Sequence, residues 1–235
     1  MISLSKMKTH ALERITGAVK NSYGFVYGFH KAKGHTQYPS ADSLARMLID
    51  LNKCVAPKLY VMDGIVAMEG NGPGSGDPVQ MNVMLMSTDP VALDSVFSRL
   101  VYLKPEMVPT NYHGEKMGLG TWKEEEITLL TPDGEISMSE AVKRYGNPQF
   151  NVDRTEVRKN IWTRMAGALN IFQKKPYIEA DKCVRCGICV QRCPVPGKAV
   201  DFRKGKGKPP VYDYKKCIRC FCCQEMCPQK AIKVK

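Results

Sequence analysis

Eight cysteines in the last quarter of the chain have the type and spacing of a metal-ligand set. Cys183, Cys186, Cys189 and Cys193 follow a C-x2-C-x2-C-x3-C pattern closed by Pro194, and the pattern returns as Cys217, Cys220, Cys223 and Cys227, closed by Pro228. That spacing ligates [4Fe-4S] clusters. A cubane takes four thiolates from four directions. Three closely spaced cysteines wrap one cube in a tight turn, and the fourth of each run lies past that turn and crosses to the other cube. The expected cofactor is two [4Fe-4S] clusters: cluster A held by Cys183, Cys186, Cys189 and Cys227, and cluster B by Cys217, Cys220, Cys223 and Cys193. The expected chemistry is electron transfer. Structural zinc favours two ligand pairs around one ion. Disulfides suit a short secreted chain, whereas Met1 to Lys6 lacks the apolar stretch of a secretory leader. Pro194 and Pro228 turn the chain away from each cube. Gly187 lets the backbone pass close to cluster A; Phe221 stands at the matching place in the second run and predicts a different turn there.

Residues 177–235 resemble the bacterial two-cluster ferredoxins, down to Ala231-Ile232 after Cys227-Pro228. Two departures spare every ligand. Pro194 to Lys198 is longer than its counterpart Pro228 to Lys230, and Arg203 to Pro210 is inserted between the halves.

The remaining chain must position this unit and give it a partner. At 235 residues, 43% hydrophobic and 25% charged, the composition is that of an ordinary globular protein of about two domains. The expected division is an α/β domain over 1–173, a mixed sheet with helices, and a small α+β ferredoxin-like cluster domain over 174–235. No apolar run reaches the ~18 residues a membrane span needs, and cluster thiolates require a reducing compartment, so a cytoplasmic protein is expected. The net charge of +12 is uneven: Lys174 to Lys235 holds 16 Lys and Arg against 5 Asp and Glu, the rest 19 against 18. A basic cluster domain would steer an acidic redox protein partner; a solvated loop kept for solubility reads the same. Nucleic acid is an unlikely partner, since no reading motif accompanies the charge.

In the first domain Leu12, Ile15, Ala18 and Val19 have the spacing of a short helix. Tyr23 to His35, with His30 and His35, reads as a loop. Ser40 caps a helix with a stripe of Leu44, Met47, Leu48 and Leu51, and Cys54 at its end reads as a small buried hydrophobe. Lys58 to Asp63 is expected as a buried strand ending at Gly64, Met68 to Pro78 as a glycine-rich loop, and Val83 to Met86 as a second strand. Asp89-Pro90 opens a helix with Asp94 in its first turn, where a negative charge suits the dipole. Asn111 to Gly120 reads as loop, Ile127 to Leu130 as a strand, Ser139 to Tyr145 as a helix and Thr155 to Phe172 as an amphipathic helix docking the cluster domain.

Lys6-x-Lys8-Thr9-His10, Lys20-Asn21, Asp63-Gly64, Met68-Glu69-Gly70-x-Gly72-Pro73 and Asp89-Pro90-Val91-Ala92-Leu93-Asp94 resemble the family called domain of unknown function 362. Its members often carry a two-cluster ferredoxin domain behind that region. The resemblance implies a redox-active iron-sulfur protein with no general substrate assigned. It also implies a sizeable region before the lysine-rich motif, which here arrives at residue 6, so either a truncated form or a start at an internal methionine is the expectation. Together with the gathering of polar residues, it points to Lys6, Lys8, His10, Asp63 and Glu69 as candidate catalytic residues. In that picture the lysines hold a small anionic substrate and His10 or Glu69 delivers a proton. Rival expectations are a non-enzymatic redox docking partner, a regulatory binder of an acidic protein or nucleic acid, and a cluster-delivery protein.

Overall fold

A computed structural model describes residues 1–27, 34, 37–156, 174–203 and 205–234. His30, His35 and the body of the expected 155–172 helix lie outside the described residues. Contacts divide the chain into two compact units, Met1–Asp153 and Arg154–Lys235.

The first unit is built on a mixed four-stranded sheet of order β2-β1-β3-β4. β1 (Ile2–His10) runs parallel to β3 (Leu59–Glu69); β2 (Arg14–Thr16) and β4 (Asp77–Ser87) are antiparallel to their neighbours. Alternation along β1 buries Ser3, Ser5, Met7 and Thr9 on one face. On that face Met7, Ile15, Met62 and Val83 meet Leu93, Val96, Phe97 and Leu100. The four last residues belong to helix α3 (Pro90–Leu100), where Asp89 accepts from Val91 N at 2.7 Å and Ala92 N at 2.9 Å. Helix α2 (Ala41–Val55) starts in a Ser40/Ser43 capping box. It contributes Leu44, Leu48 and Ile49 to a second core with Val19, Tyr23 and Val91. The sheet's other face leaves Leu4, Met84 and Met86 exposed.

Several local expectations give way to tertiary pairing. The run from Leu12 to Val19 is a turn, strand β2 and only then the short helix α1 (Ala18–Asn21). Asp63-Gly64 does not end its strand: β3 continues to Glu69 through a register shift between Gly64 and Val66. Gly64 is kept because a Cβ there would meet Met7 and Val83 at 2.9 Å. The expected loop at Asn111 is helix α4 (Pro109–Lys116), in which Gly114 lets Val91 approach. β5 (Leu129–Thr131) and β6 (Gly134–Ile136) form a hairpin, and Ser137 caps α5 (Met138–Tyr145). Cys54 is exposed rather than buried, because it sits on the outer side of the last turn of α2.

Asp94 serves a different helix from the one that carries it. It is fully buried and accepts from Ala18 N at 2.5 Å and Val19 N at 3.1 Å, satisfying the start of α1 from across the core. Gly17 makes the approach possible, since a Cβ there would lie 2.0 Å from Asp94 Oδ1. Gly17→Ala is therefore expected to lower stability by about 2 kcal/mol, the scale of core overpacking. Gly24→Ala, with nothing within 4 Å of its Cβ, should stay within about 0.5 kcal/mol. Urea midpoints of the two variants against the parent make the comparison.

Candidate metal centre

In the second unit the two cysteine runs take one backbone course. Short helices Ile188–Gln191 (α6) and Cys222–Glu225 (α7) follow residues in the left-handed region, Gly187 at φ 77° and Phe221 at φ 59°. Arg185 and Arg219 are left-handed at matching places. The expectation of a different second turn is thus wrong. Phe221 adopts the glycine-like conformation, which costs a non-glycine residue roughly 1–2 kcal/mol, and its side chain is buried. The longer segment after Cys193 is absorbed as well: Ala199 N donates to Cys193 Sγ and Ala231 N to Cys227 Sγ, both at 3.3 Å. Strand β7 (Pro176–Ile178) pairs with β10 (Ile232–Val234), and β8 (Val200–Asp201) with β9 (Val211–Tyr212).

The eight cysteines fall into two rings of four. Cys183, Cys186, Cys189 and Cys227 line one small pocket with Ile178, Gly187 and Ile188. Cys193, Cys217, Cys220 and Cys223 line another with Phe221 and Tyr212. Each ring takes three thiols from one run and the fourth from the other. Among the described residues no three His, Cys, Asp or Glu converge as on a single ion; the thiols surround a volume. Burial, and then the charges of Cys183, Cys186 and Cys227, push the Cys189 thiol up to about 11. Four soft sulfur donors gathered around one space are the donor set of an iron-sulfur cluster, and the residues fit that group. Two side chains overlooked in the sequence touch the second ring. Tyr212 Oη donates to Cys223 Sγ at 3.1 Å, and the Cys222 and Cys220 thiols share a hydrogen bond. Their only sequence signal is position relative to the cysteines.

In the first unit, Lys6 and Asp63 are register neighbours on β1 and β3 and form an ion pair at 2.6 Å. Lys6 Nζ also donates to Val66 O at 2.8 Å. The Lys6 hydrogen bond, then the Ile65 N–H, hold the Asp63 carboxyl below its usual range. Lys8, half-buried, follows Lys6 on the same strand face. His10 is buried, and its Nδ1 accepts from Leu12 N at 3.2 Å and Glu13 N at 3.0 Å. Glu69 is drawn to the far end of β3, where its Oε2 accepts from Asn151 N at 2.8 Å. The glycine-rich segment closes the β3–β4 hairpin: Thr9 Oγ1 donates to Gly70 O at 3.0 Å, and a Cβ at Gly72 would lie 2.3 Å from Thr9 O. Glu13, which periodicity gave no reason to single out, is wholly buried, and among the described residues neither of its carboxyl oxygens has a hydrogen-bond partner. Burial raises it to about 8, with Lys20 opposing and Asp42 adding to the shift.

Residues 1–99 match the family described as a domain of unknown function (DUF362), and residues 175–228 match a 4Fe-4S dicluster domain. A thylakoid-associated protein of Synechocystis sp. is 40% identical over 120 residues, 51% of this chain and 37% of the relative. The chain thus spans little more than a third of the length of the curated relative it matches. No solved structure matches it. Among the described residues no helix is long and apolar enough to cross a membrane.

Glu13 gives the first unit a defined pH response. Below about pH 4.5 its carboxyl is protonated folded or unfolded; from there to about pH 8 the unfolded chain ionises while the folded chain keeps its proton. Stability therefore falls as pH rises through that window, by up to on the order of 1.4 kcal/mol per pH unit. Asp94, raised by burial to about 7, falls in the same direction but is finished sooner. Glu13→Gln should lose part of the decline and be clearest as a gain over the parent at pH 8.5, read from urea midpoints at pH 5, 7 and 8.5.

Proposed function

We propose that the chain is an electron-transfer protein holding two [4Fe-4S] clusters, one in each ring of cysteines. Cys183, Cys186, Cys189 and Cys227 hold the first; Cys193, Cys217, Cys220 and Cys223 hold the second. The observation that carries the reading is the sorting of eight thiols into two rings of four with one thiol exchanged. The match of residues 175–228 to a 4Fe-4S dicluster domain supports it independently. Each bound cluster supplies a one-electron couple. The chain's own part is to hold the sulfurs, donate Ala199 and Ala231 N–H groups to them, and present a surface to the partner. Exposed Lys206 and Lys208, in a segment rich in positive charge, favour an acidic redox protein as that partner. The need to keep the thiols reduced favours a reducing compartment such as the cytoplasm; the relative is named as thylakoid-associated, and a location at the thylakoid is the alternative.

The first unit admits two roles. As an oxidoreductase site it would use Lys8 and His10 toward a small anionic substrate. As a docking module it would need no substrate. The engagement of Lys6 with Asp63 and Val66, and of Glu69 with Asn151, favours docking, because both candidate groups already have structural partners. Lys6→Ala should then leave electron transfer to a protein acceptor within about twofold, the scale of an exposed ion pair.

The crossed rings are tested by removing one fourth thiol at a time from anaerobically prepared protein. Iron should fall from about eight to about four per chain in both Cys227→Ala and Cys193→Ala. Cys227→Ala should abolish the signal of the first site and Cys193→Ala that of the second in low-temperature spin resonance. The reverse pairing would overturn the assignment; a colourless parent chain or one holding zinc would overturn the function.

A further inference from the structure

The halves of the cluster unit repeat with an offset of 34 residues, from Cys183 to Cys217 and from Cys193 to Cys227. The offset sets Ile178 against Tyr212 and Ile188 against Cys222. Backbone donors to the fourth cysteines are matched, one N–H at 3.3 Å for each ring. The side-chain donors are not. Tyr212 Oη reaches Cys223 Sγ at 3.1 Å, and the Cys222 thiol reaches Cys220. Isoleucine has no polar hydrogen, so at these two positions the first ring gains neither bond.

Tyr212 is well held for this task. Its backbone pairs with Val200, and its ring stacks on Tyr214 at 5.7 Å and 16°. Tyr214 is tied in turn by its hydroxyl to Pro176 O at 2.9 Å. A third difference lies in a positive charge: Arg219, two residues from Cys217, is buried, whereas its counterpart Arg185 is exposed and donates to Gly207 O. Glu225, opposite Gln191 in the repeat, puts a negative charge on α7 and acts the other way. It is only half-buried, so water screens it more than the buried donors.

A reduced cluster carries one more negative charge than an oxidised one, and hydrogen bonds to its sulfurs stabilise the more negative state. We infer that Tyr212, seconded by Cys222, gives the site ringed by Cys193, Cys217, Cys220 and Cys223 the higher reduction potential, an inference that rests on the two-cluster reading. One electron then leaves the first site as one arrives at the second, with no proton moved and no bond broken. Tyr212 is a positioning residue that acts through Cys223.

The test is a potentiometric titration of the full chain, followed by low-temperature spin resonance, with iron and sulfide measured on the same samples. The second site is identified as the signal that Cys193→Ala lacks. In the parent that signal should be the first to be reduced. Tyr212→Phe keeps the ring and removes the donor. It should disfavour reduction of the second site by about tenfold, which is 59 mV for one electron, and leave the first site unmoved. Cys222→Ala should shift the same site in the same direction, and Cys222→Ser, which keeps a donor, should shift it less. Full iron with unmoved potentials, or a shift confined to the first site, overturns the inference while the two clusters stand. Loss of half the iron in Cys222→Ala would make Cys222 a ligand and overturn its role as donor. A parent with well under eight irons per chain overturns the two-cluster reading beneath it.

Discussion

The second unit depends on a crossing. Each cysteine run supplies three thiols to a nearby space and sends its fourth to the space next door. Neither ring can be completed by one half alone, so filling either ring ties the two halves together. A unit of this size has little apolar surface to bury, and its core contains the cysteines themselves, with Cys189, Cys193 and Cys223 packed among Ala199, Val200 and Ile232. Metal bound in the rings would therefore stabilise the fold of this unit.

That constraint also explains what the backbone tolerates. Phe221 and Gly187 stand at the same point of the repeat, and the turn is left-handed in both. A phenylalanine accepts an unfavourable φ because the thiols on either side of it must face one space and its own ring is buried there. The five-residue stretch after Cys193 and the shorter one after Cys227 also end alike, with a left-handed lysine followed by an alanine whose N–H meets sulfur. The repeat holds its sulfur contacts more closely than its length or residue types. The surroundings of the two rings differ where isoleucine gives way to tyrosine and cysteine.

The first unit follows another logic. Its motif residues bind one another. Asp94 satisfies the start of α1, Asp89 the start of α3, Thr9 the turn at Gly70, and Asp63 the ammonium of Lys6. Much of the pattern that resembles a family motif is thus explained as structure: buried backbone groups need partners, and short polar side chains beside glycines supply them. Glu13 lies outside these motifs, and among the described residues its buried carboxyl finds no hydrogen-bond partner.

How much could be read in advance differs between the units for a physical reason. Ligand type and spacing along eight cysteines determined the cluster chemistry, and caps at Ser40 and Asp89 marked their helices, because both signals act over three or four residues. Helical spacing misplaced Leu12 to Val19, and a glycine after Asp63 hid the continuation of β3, because those outcomes depend on the strand alongside. Only the tertiary structure decided that Asp94 serves a helix seventy-odd residues upstream, that Lys6 faces Asp63, and that Tyr212 rather than Ile178 carries a hydroxyl to a cysteine. Each is a contact between distant segments, and no local preference of the chain encodes which distant partner a polar group will meet.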